Sequence, residues 1–448
     1  MFRLLLISDQ VMLKAANQVL FQTIRGFLDA GFCVDLVIQR SSGHELENIA
    51  RLEDLFPDYL ARISASSFGA RFESLFELGR KVQKYLEFKR ADPKLLEFPH
   101  SNSVFGFEHN RTNTYWLSDL RFYANCAGAF DMAKQVAARN RPDLICGFEI
   151  VGAVSGERLA KRLGIPFFTK YMGTIAWPFL EAGTEHLARP YLRGLNVESD
   201  IVFMLNDGTK GDLVLKHLGI AEEKLRFRID GVNKSPTNSA YSRADFLEKF
   251  QLEFPDGSLL AMCLSNHNGA YKRLDRAIRA AAVASAQNRF IHLILVGNGR
   301  NTPGLKALAR KLSCDENVHF IPKVLNKDIP VLLNSIDFYL NTNDQSNLSH
   351  PVLEAMVAGR CVISMDDGSL DGIICDGETG VLVRPSSSQT ELPAALLSLA
   401  ENPVERLRLG SNARDYAARK FFSWEEKTAL ETTEVLELLK AWRPLAEG

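Results

Sequence analysis

The consecutive runs RLLLIS (3–8), LKAANQVLFQTIRGFLDAG (13–31) and CVDLVIQ (33–39) decide the fold class. A short apolar run, a helix-patterned segment closed by Gly31 and a second apolar run form a β-α-β unit, which implies parallel strands with a helix laid on the sheet. The rhythm returns at PDLICGF (142–148), IPFFTKY (165–171) and DIVFML (200–205), after which LVLKHLGI (213–220) leads into KLRFRI (224–229). From Ser235 the chain reads SPTNSAYSRADFLEKFQLEFPDGS (235–258), polar and turn-rich with one short helical pattern, as an interdomain linker does. The alternation then restarts. SLLAMCLS (258–265), FIHLILVG (290–297), VHFIP (318–322), IDFYLN (336–341), CVISM (361–365) and GVLVRP (380–385) are six further strand candidates, separated by helical patterns such as KRLDRAIRAAAVASA (272–286). The expected architecture is α/β, with two doubly wound Rossmann-like domains facing a cleft: a first domain over 1–235, a linker over 236–257 and a second domain over 258–420.

Two segments depart from this alternation. Residues 40–120 carry mostly helical patterns and aromatic-rich loops such as FPHSNSVFGFEHN (98–110), and are expected to form a helical insertion in the first domain. Residues 421–448 contain FFSWEEKTALETTEVLELLKAW (421–442), an amphipathic helix with Ser423 at N-cap and Glu426 three residues on, the spacing of a capping box. This helix is expected to pack back on the first domain.

The 448 residues exceed what one core supports, about 250 to 300, and so fit two. Lys and Arg number 53 against 54 Asp and Glu, so no global field draws nucleic acid or an anionic membrane. Seven cysteines without a Cys-x-x-Cys pair point to a reducing compartment, and MFRLLLIS is too short for a signal peptide. The expected location is cytoplasmic. One local exception is Arg80–Lys94, where Arg80, Lys81, Lys84, Lys89, Arg90 and Lys94 face only Glu87 and Asp92. A helix so charged either docks on the inner face of a membrane as a peripheral contact or is a solvated surface helix.

Paired open sheets place ligands at the carboxyl ends of their strands. VGNGR (296–300) has Gly297 and Gly299 but Thr302 where a dinucleotide fingerprint needs a third glycine, and no Gly-x-x-x-x-Gly-Lys-Ser/Thr loop is present. No histidine pairs at metal-ligand spacing, so neither a cofactor nor a metal is expected. The richest segment is NTNDQSNLSHPVLEAMVAGRCVIS (341–364): a polar loop after a strand enters a helix opened by Pro351, with Glu354 expected in its first turn.

VGNGR (296–300), DENVHFIP (315–322), PVLEAMVAGRCVIS (351–364), CDGETGVLVRP (375–385) and FSWEE (422–426), in this order and separation, resemble the retaining GT-B glycosyltransferases of family 4. MLNDGTKGDLVLKHLGI (204–220) and RIDGVNK (228–234) resemble the end of that family's acceptor domain. The resemblance implies that Glu354 holds the ribose of a nucleoside diphosphate-sugar and that Lys272 meets its pyrophosphate. It also marks two departures. The family's first Glu, near the donor sugar, falls on Ser346, and the Arg five residues before the lysine falls on His267. Asn266 and His267 are then weaker donors, Asp344 is a carboxylate two residues from Ser346, and Asn347, Leu348 and Gly297 complete the expected donor side. On the acceptor side stand Glu149, Gly173 and Thr174, each just past a strand, whereas Asn206 and Asp207 read as helix-capping residues.

The expected activity is transfer of a sugar from a nucleoside diphosphate-sugar to a hydroxyl of a glycan or glycolipid-type acceptor, metal-independent and with retention, using Lys272, Glu149 and Ser346 as catalytic groups. Two alternatives stay open: a catalytically silent GT-B scaffold and a nucleotide-sugar epimerase.

Overall fold

The computed structural model of the protein describes residues 1–9, 18–39, 55–68, 115–234, 243–322, 324–325 and 328–446. The first sheet contains β1 (Arg3–Ser8), β2 (Cys33–Gln39), β3 (Ile63–Phe68), β4 (Leu144–Phe148), β5 (Phe167–Tyr171), β6 (Ile201–Leu205) and β7 (Leu225–Arg228). All its pairings are parallel, in the order β3-β2-β1-β4-β5-β6-β7. Central strands with helices on both faces must be apolar almost throughout. Leu4, Leu5, Leu6 and Ile7 of β1 and Leu144, Ile145, Cys146 and Phe148 of β4 are accordingly buried. Helix Glu149–Leu163 crosses β1 so closely that a Cβ on Gly152 would lie 2.1 Å from the Ile7 carbonyl oxygen, which only glycine permits.

Most of the region expected to be a helical insertion, 40–54 and 69–114, lies outside the described residues. Its described part includes β3, ISASSF, which extends the sheet edge in register with β2 from Val34↔Ile63 to Gln39↔Phe68. Helix Tyr115–Arg139 then lays Phe122, Cys126, Ala129 and Ala133 into the core. Arg80–Lys94 lies outside the described residues.

The second sheet has the order β10-β9-β8-β11-β12-β13, again parallel, from β8 (Leu259–Leu264), β9 (Ile291–Val296), β10 (Val318–Ile321), β11 (Phe338–Asn341), β12 (Cys361–Met365) and β13 (Val381–Val383). Each expected strand of this half is present. The helix of the linker region, Arg243–Phe250, buries Phe246 against Leu260, Ile329 and Leu332 of this half.

The last helix, Trp424–Ala446, returns to the first domain, where Trp424, Val435 and Leu439 are buried with Leu4, Leu6, Phe27 and Phe203. Its start has both halves of a capping box: Glu426 N donates to Ser423 Oγ at 3.1 Å and Ser423 N donates to Glu426 Oε2 at 2.6 Å. Glu434 further along accepts from Arg226 and Arg228 of β7 at 2.9 and 2.7 Å. Among the described residues no helix is long and apolar enough to cross a membrane.

Candidate functional site

Both sheets change direction at one point: the first between β1 and β4, the second between β8 and β11. Crevices outside the carboxyl ends of strands form there. In the second domain the crevice is a cavity of about 210 Å³ lined by Ser265, Asn266, Lys272, Asn343, Ser349 and Pro351, among others. Lys272 closes a short 3-10 turn, Ala270–Lys272, before helix Leu274–Gln287, and its Nζ lies 4.8 Å from the centre of the Tyr271 ring. Withdrawal from water lowers its pKa to about 8, while the charge of Asp207 acts in the opposite direction. It remains a cation at neutral pH, suited to phosphate oxygens.

Glu354 stands differently from expectation. The helix begins at His350 with Ser349 as N-cap and Pro351 inside, so Glu354 is in the second turn and does not complement the helix start. Its Oε1 lies 3.4 Å from His350 Nε2, and its Oε2 is buried with no protein partner. A buried carboxylate oxygen without a donor is costly, and a ligand hydroxyl would satisfy it.

Several residues expected on the donor side do other work. Leu348 is core, packed with Val352 and Leu353. Asn347 is fully buried and its Oδ1 accepts from Asn341 Nδ2 at 3.0 Å. His267 is 1% exposed, its Nδ1 is 2.9 Å from Thr302 Oγ1, and burial lowers its pKa, so it supplies no cation in place of an arginine. Asp344 is held at 2.6 Å by Arg276 and at 3.3 Å by Arg273, which rules it out as a free carboxylate near Ser346. Gly297, with φ of 134°, leaves room for the Ser265 carbonyl, which an added Cβ would approach to 1.9 Å. Asn266 lines the cavity.

Ser346 adopts φ of 58°, and its Oγ donates to Asp207 Oδ2 of the first domain at 3.1 Å. Asp207 does make the local bonds that a turn carboxylate makes, to Thr209 N at 3.1 Å and Thr209 Oγ1 at 2.5 Å, but it also crosses the cleft. Its backbone oxygen accepts from Leu348 N at 3.2 Å. Gly173, with φ of 107°, abuts the same carboxylate, which an added Cβ would approach to 2.5 Å. Thr174 Oγ1 accepts from Ala176 N at 3.1 Å, which fixes the hydroxyl oxygen beside the following turn.

On the first-domain side Glu149 follows β4, with φ of 59° and Oε1 accepting from Met172 N at 2.7 Å. Loss of water contact, then the charge of Asp9, push its pKa up to about 8, with Asp207 adding to the effect. Asp9, past β1, and Asp207, past β6, are each raised to about 6 by withdrawal from water. A left-handed non-glycine residue on each wall of the cleft, Glu149 and Ser346, is strain of a kind found at working sites. Among the described residues no cluster of His, Cys, Asp and Glu is arranged to hold a metal ion.

Sequence reading missed Asp9, His350 and Asp230, and it took Asp207 as a cap. Position just past a strand was the available signal for Asp9 and Asp207; nothing local marks the other two.

Two facing parallel sheets with ligand crevices at their switch points are the architecture of GT-B glycosyltransferases, and the chain has that fold. It superposes over 98% of its length on the crystal structure of HepE from Anabaena in complex with UDP-glucose, covering 100% of that chain with a TM-score of 0.68 at 16% identity. Residues 246–416 match the family described as Glycosyl transferases group 1. An uncharacterized glycosyltransferase of Methanocaldococcus jannaschii is 27% identical over 150 residues, 33% of this chain and 37% of that protein. The lipopolysaccharide glucosyltransferase WaaG of Escherichia coli K12 is 30% identical over 160 residues, 35% of this chain and 42% of that enzyme. The chain thus matches about two fifths of the length of these curated relatives.

Proposed function

We propose that the protein is a glycosyltransferase that moves a sugar from a nucleoside diphosphate donor to an acceptor hydroxyl, with retention at the anomeric carbon and without a resident metal or other cofactor. The observation that carries this reading is the cavity past β8 and β11, which sets Lys272 in its wall beside a helix whose Glu354 keeps one buried oxygen unpartnered. Glu354 Oε2 accepts from a ribose hydroxyl. Lys272 neutralises the diphosphate, aided by the positive end of the dipole of helix His350–Val357, as the bond from anomeric carbon to phosphate oxygen breaks. The new bond forms to the acceptor oxygen, whose proton passes to the departing diphosphate oxygen. Glu149 faces the acceptor from the first domain, with Gly173 leaving space beside it. The relatives support the reading, since WaaG is by name a glucosyltransferase and the HepE structure holds UDP-glucose.

The acceptor is proposed to be a glycan or glycolipid, met in the cytoplasm at the inner membrane face. The test is a thermal-shift screen with UDP, GDP and ADP, followed by mass spectrometry of products from the matching sugar nucleotides and NMR of the new anomeric centre. A shift with one diphosphate, a product heavier by one sugar and a retained configuration are expected. No shift with any diphosphate overturns the reading, donor binding without turnover supports a silent scaffold, and an inverted product overturns retention alone.

A further inference from the structure

Three carboxylates stand near the donor cavity, and two are accounted for. Glu354 is on the nucleotide side, and Asp344 is neutralised by Arg273 and Arg276. The third, Asp207, comes from the other domain. Its Oδ1 is fixed by Thr209, its Oδ2 accepts a hydrogen bond from Ser346 Oγ at 3.1 Å, and its main chain accepts from Leu348 N. Space around it is kept by glycines: a Cβ on Gly208 would come within 3.1 Å of Asn347 N and Leu348 N, and one on Gly173 would strike the carboxylate. Asp207 also acts electrostatically on Lys272, which lines the cavity, and on Tyr271 beside it in the chain. A carboxylate oxygen that accepts one hydrogen bond has capacity for another.

Resting on the transferase reading above, we propose that Asp207 is a donor-sugar-binding carboxylate supplied across the cleft by the first domain, with Ser346 as its positioning residue. The ligand class is a hydroxyl-bearing hexose on a nucleoside diphosphate, and the sugar subsite is complete only when the two domains are together. Other charged or titratable groups that act on Asp207 or share its wall are Lys272, Tyr271 and Glu149.

The readout that isolates the sugar is the ratio of affinities for the diphosphate and the sugar nucleotide, measured by calorimetry with UDP against UDP-glucose, GDP against GDP-mannose and ADP against ADP-glucose. For whichever pair the native protein binds, Asp207→Asn is expected to shift this ratio by roughly tenfold against the sugar, the loss of one charge-assisted hydrogen bond. Ser346→Ala is expected to move it by about threefold, since Ser346 acts on the sugar only by holding Asp207. Asp207→Asn combined with Ser346→Glu, which returns the carboxylate from the other side, is expected to recover most of the loss. A role confined to holding the domains together predicts instead that Asp207→Asn weakens both ligands equally and that Ser346→Glu does not rescue; either result overturns the proposal while leaving the transferase reading intact. Failure of the native protein to bind any of the six ligands overturns both.

Discussion

His350 Nε2 lies 3.4 Å from Glu354 Oε1, one turn along the same helix, while its Nδ1 lies 3.9 Å from Asp230 Oδ2 of the first domain. Behind Asp230 comes Lys427 at 2.8 Å, then Glu431 at 3.9 Å and Lys170 at 2.5 Å. Charges of alternating sign thus run from β5 through the last helix to the carboxylate at the nucleotide cavity. Through His350 and Asp230, Glu354 is linked to the seating of the last helix, so the proposed nucleotide site and the domain contact share one set of side chains.

His350→Leu tests this dependence. Burial disfavours a charged imidazole here, but the bond to Glu354 and the charges of Glu354 and Asp230 hold the His350 pKa above its ordinary value, against Lys427. A raised folded pKa means stabilisation that is fully present below the ordinary imidazole pKa and lost as pH rises through the elevated one. The melting temperature of the native protein should exceed that of His350→Leu at pH 6, and the gap should close as pH rises to 9. A gap independent of pH would show that His350 is held neutral.

Lys272 makes nucleotide binding depend on pH in its own way. With a free pKa near 8, part of the population is neutral at pH 8, and a bound diphosphate raises that pKa by adding negative charge. Binding should therefore take up a proton near pH 8, and affinity should fall as pH rises through that range. Calorimetry of UDP, GDP or ADP in buffers of differing ionisation enthalpy measures the uptake. Lys272→Met should abolish it, and uptake that persists in this variant would assign the proton to another group.

Much of this arrangement was legible in the sequence, for reasons that also explain what was not. The strands of the second sheet are buried runs of branched and aromatic residues between turns, so local pattern suffices to find them. β3, by contrast, is ISASSF, a serine-rich edge strand whose pairing with β2 supplies what its composition lacks. The capping box at Ser423 was readable because both partners sit three residues apart. Asp207 and Ser346 are separated by 139 residues and Asp230 and Lys427 by 197, and no local pattern reports such a pairing. Ser346 was identifiable as a departure from the glycosyltransferase pattern, but the carboxylate facing it belongs to another domain.

Glu149 offers a test of the first-domain wall. Its folded pKa near 8 lies above its ordinary value of 4.5, so between these values the folded protein holds a proton that the unfolded chain has released. Stability contributed by this group is present at low pH and falls as pH rises toward 8. Gln mimics the neutral carboxyl and retains an acceptor for Met172 N. Relative to the native protein, Glu149→Gln should therefore gain melting temperature steadily between pH 5 and pH 8. A constant difference across that range would mean that Glu149 is ionised throughout.

The last helix provides the strongest test of how the two halves are joined. Lys427 is 3% exposed, and it is the cation between Asp230 and Glu431, themselves 9% and 8% exposed at their side chains. Removing one member of a buried pair costs more than the pair contributes, because the remaining charge keeps its desolvation penalty without compensation. Lys427→Met fills similar volume and leaves Asp230 with only His350 as a counter-charge, so it should lower the unfolding free energy by about 3 to 5 kcal/mol. Ser423→Ala, which removes one half of the capping box at the exposed start of the same helix, should cost about 1 kcal/mol. The double variant Lys427→Met, Asp230→Asn should cost less than the sum of its parts, since the second change removes the charge that the first left stranded. Urea unfolding of the native protein, the three single variants Lys427→Met, Asp230→Asn and Ser423→Ala, and the double variant gives these differences directly. Additive costs would show that Lys427 holds the helix by packing alone, and would remove the electrostatic link between the last helix and Glu354.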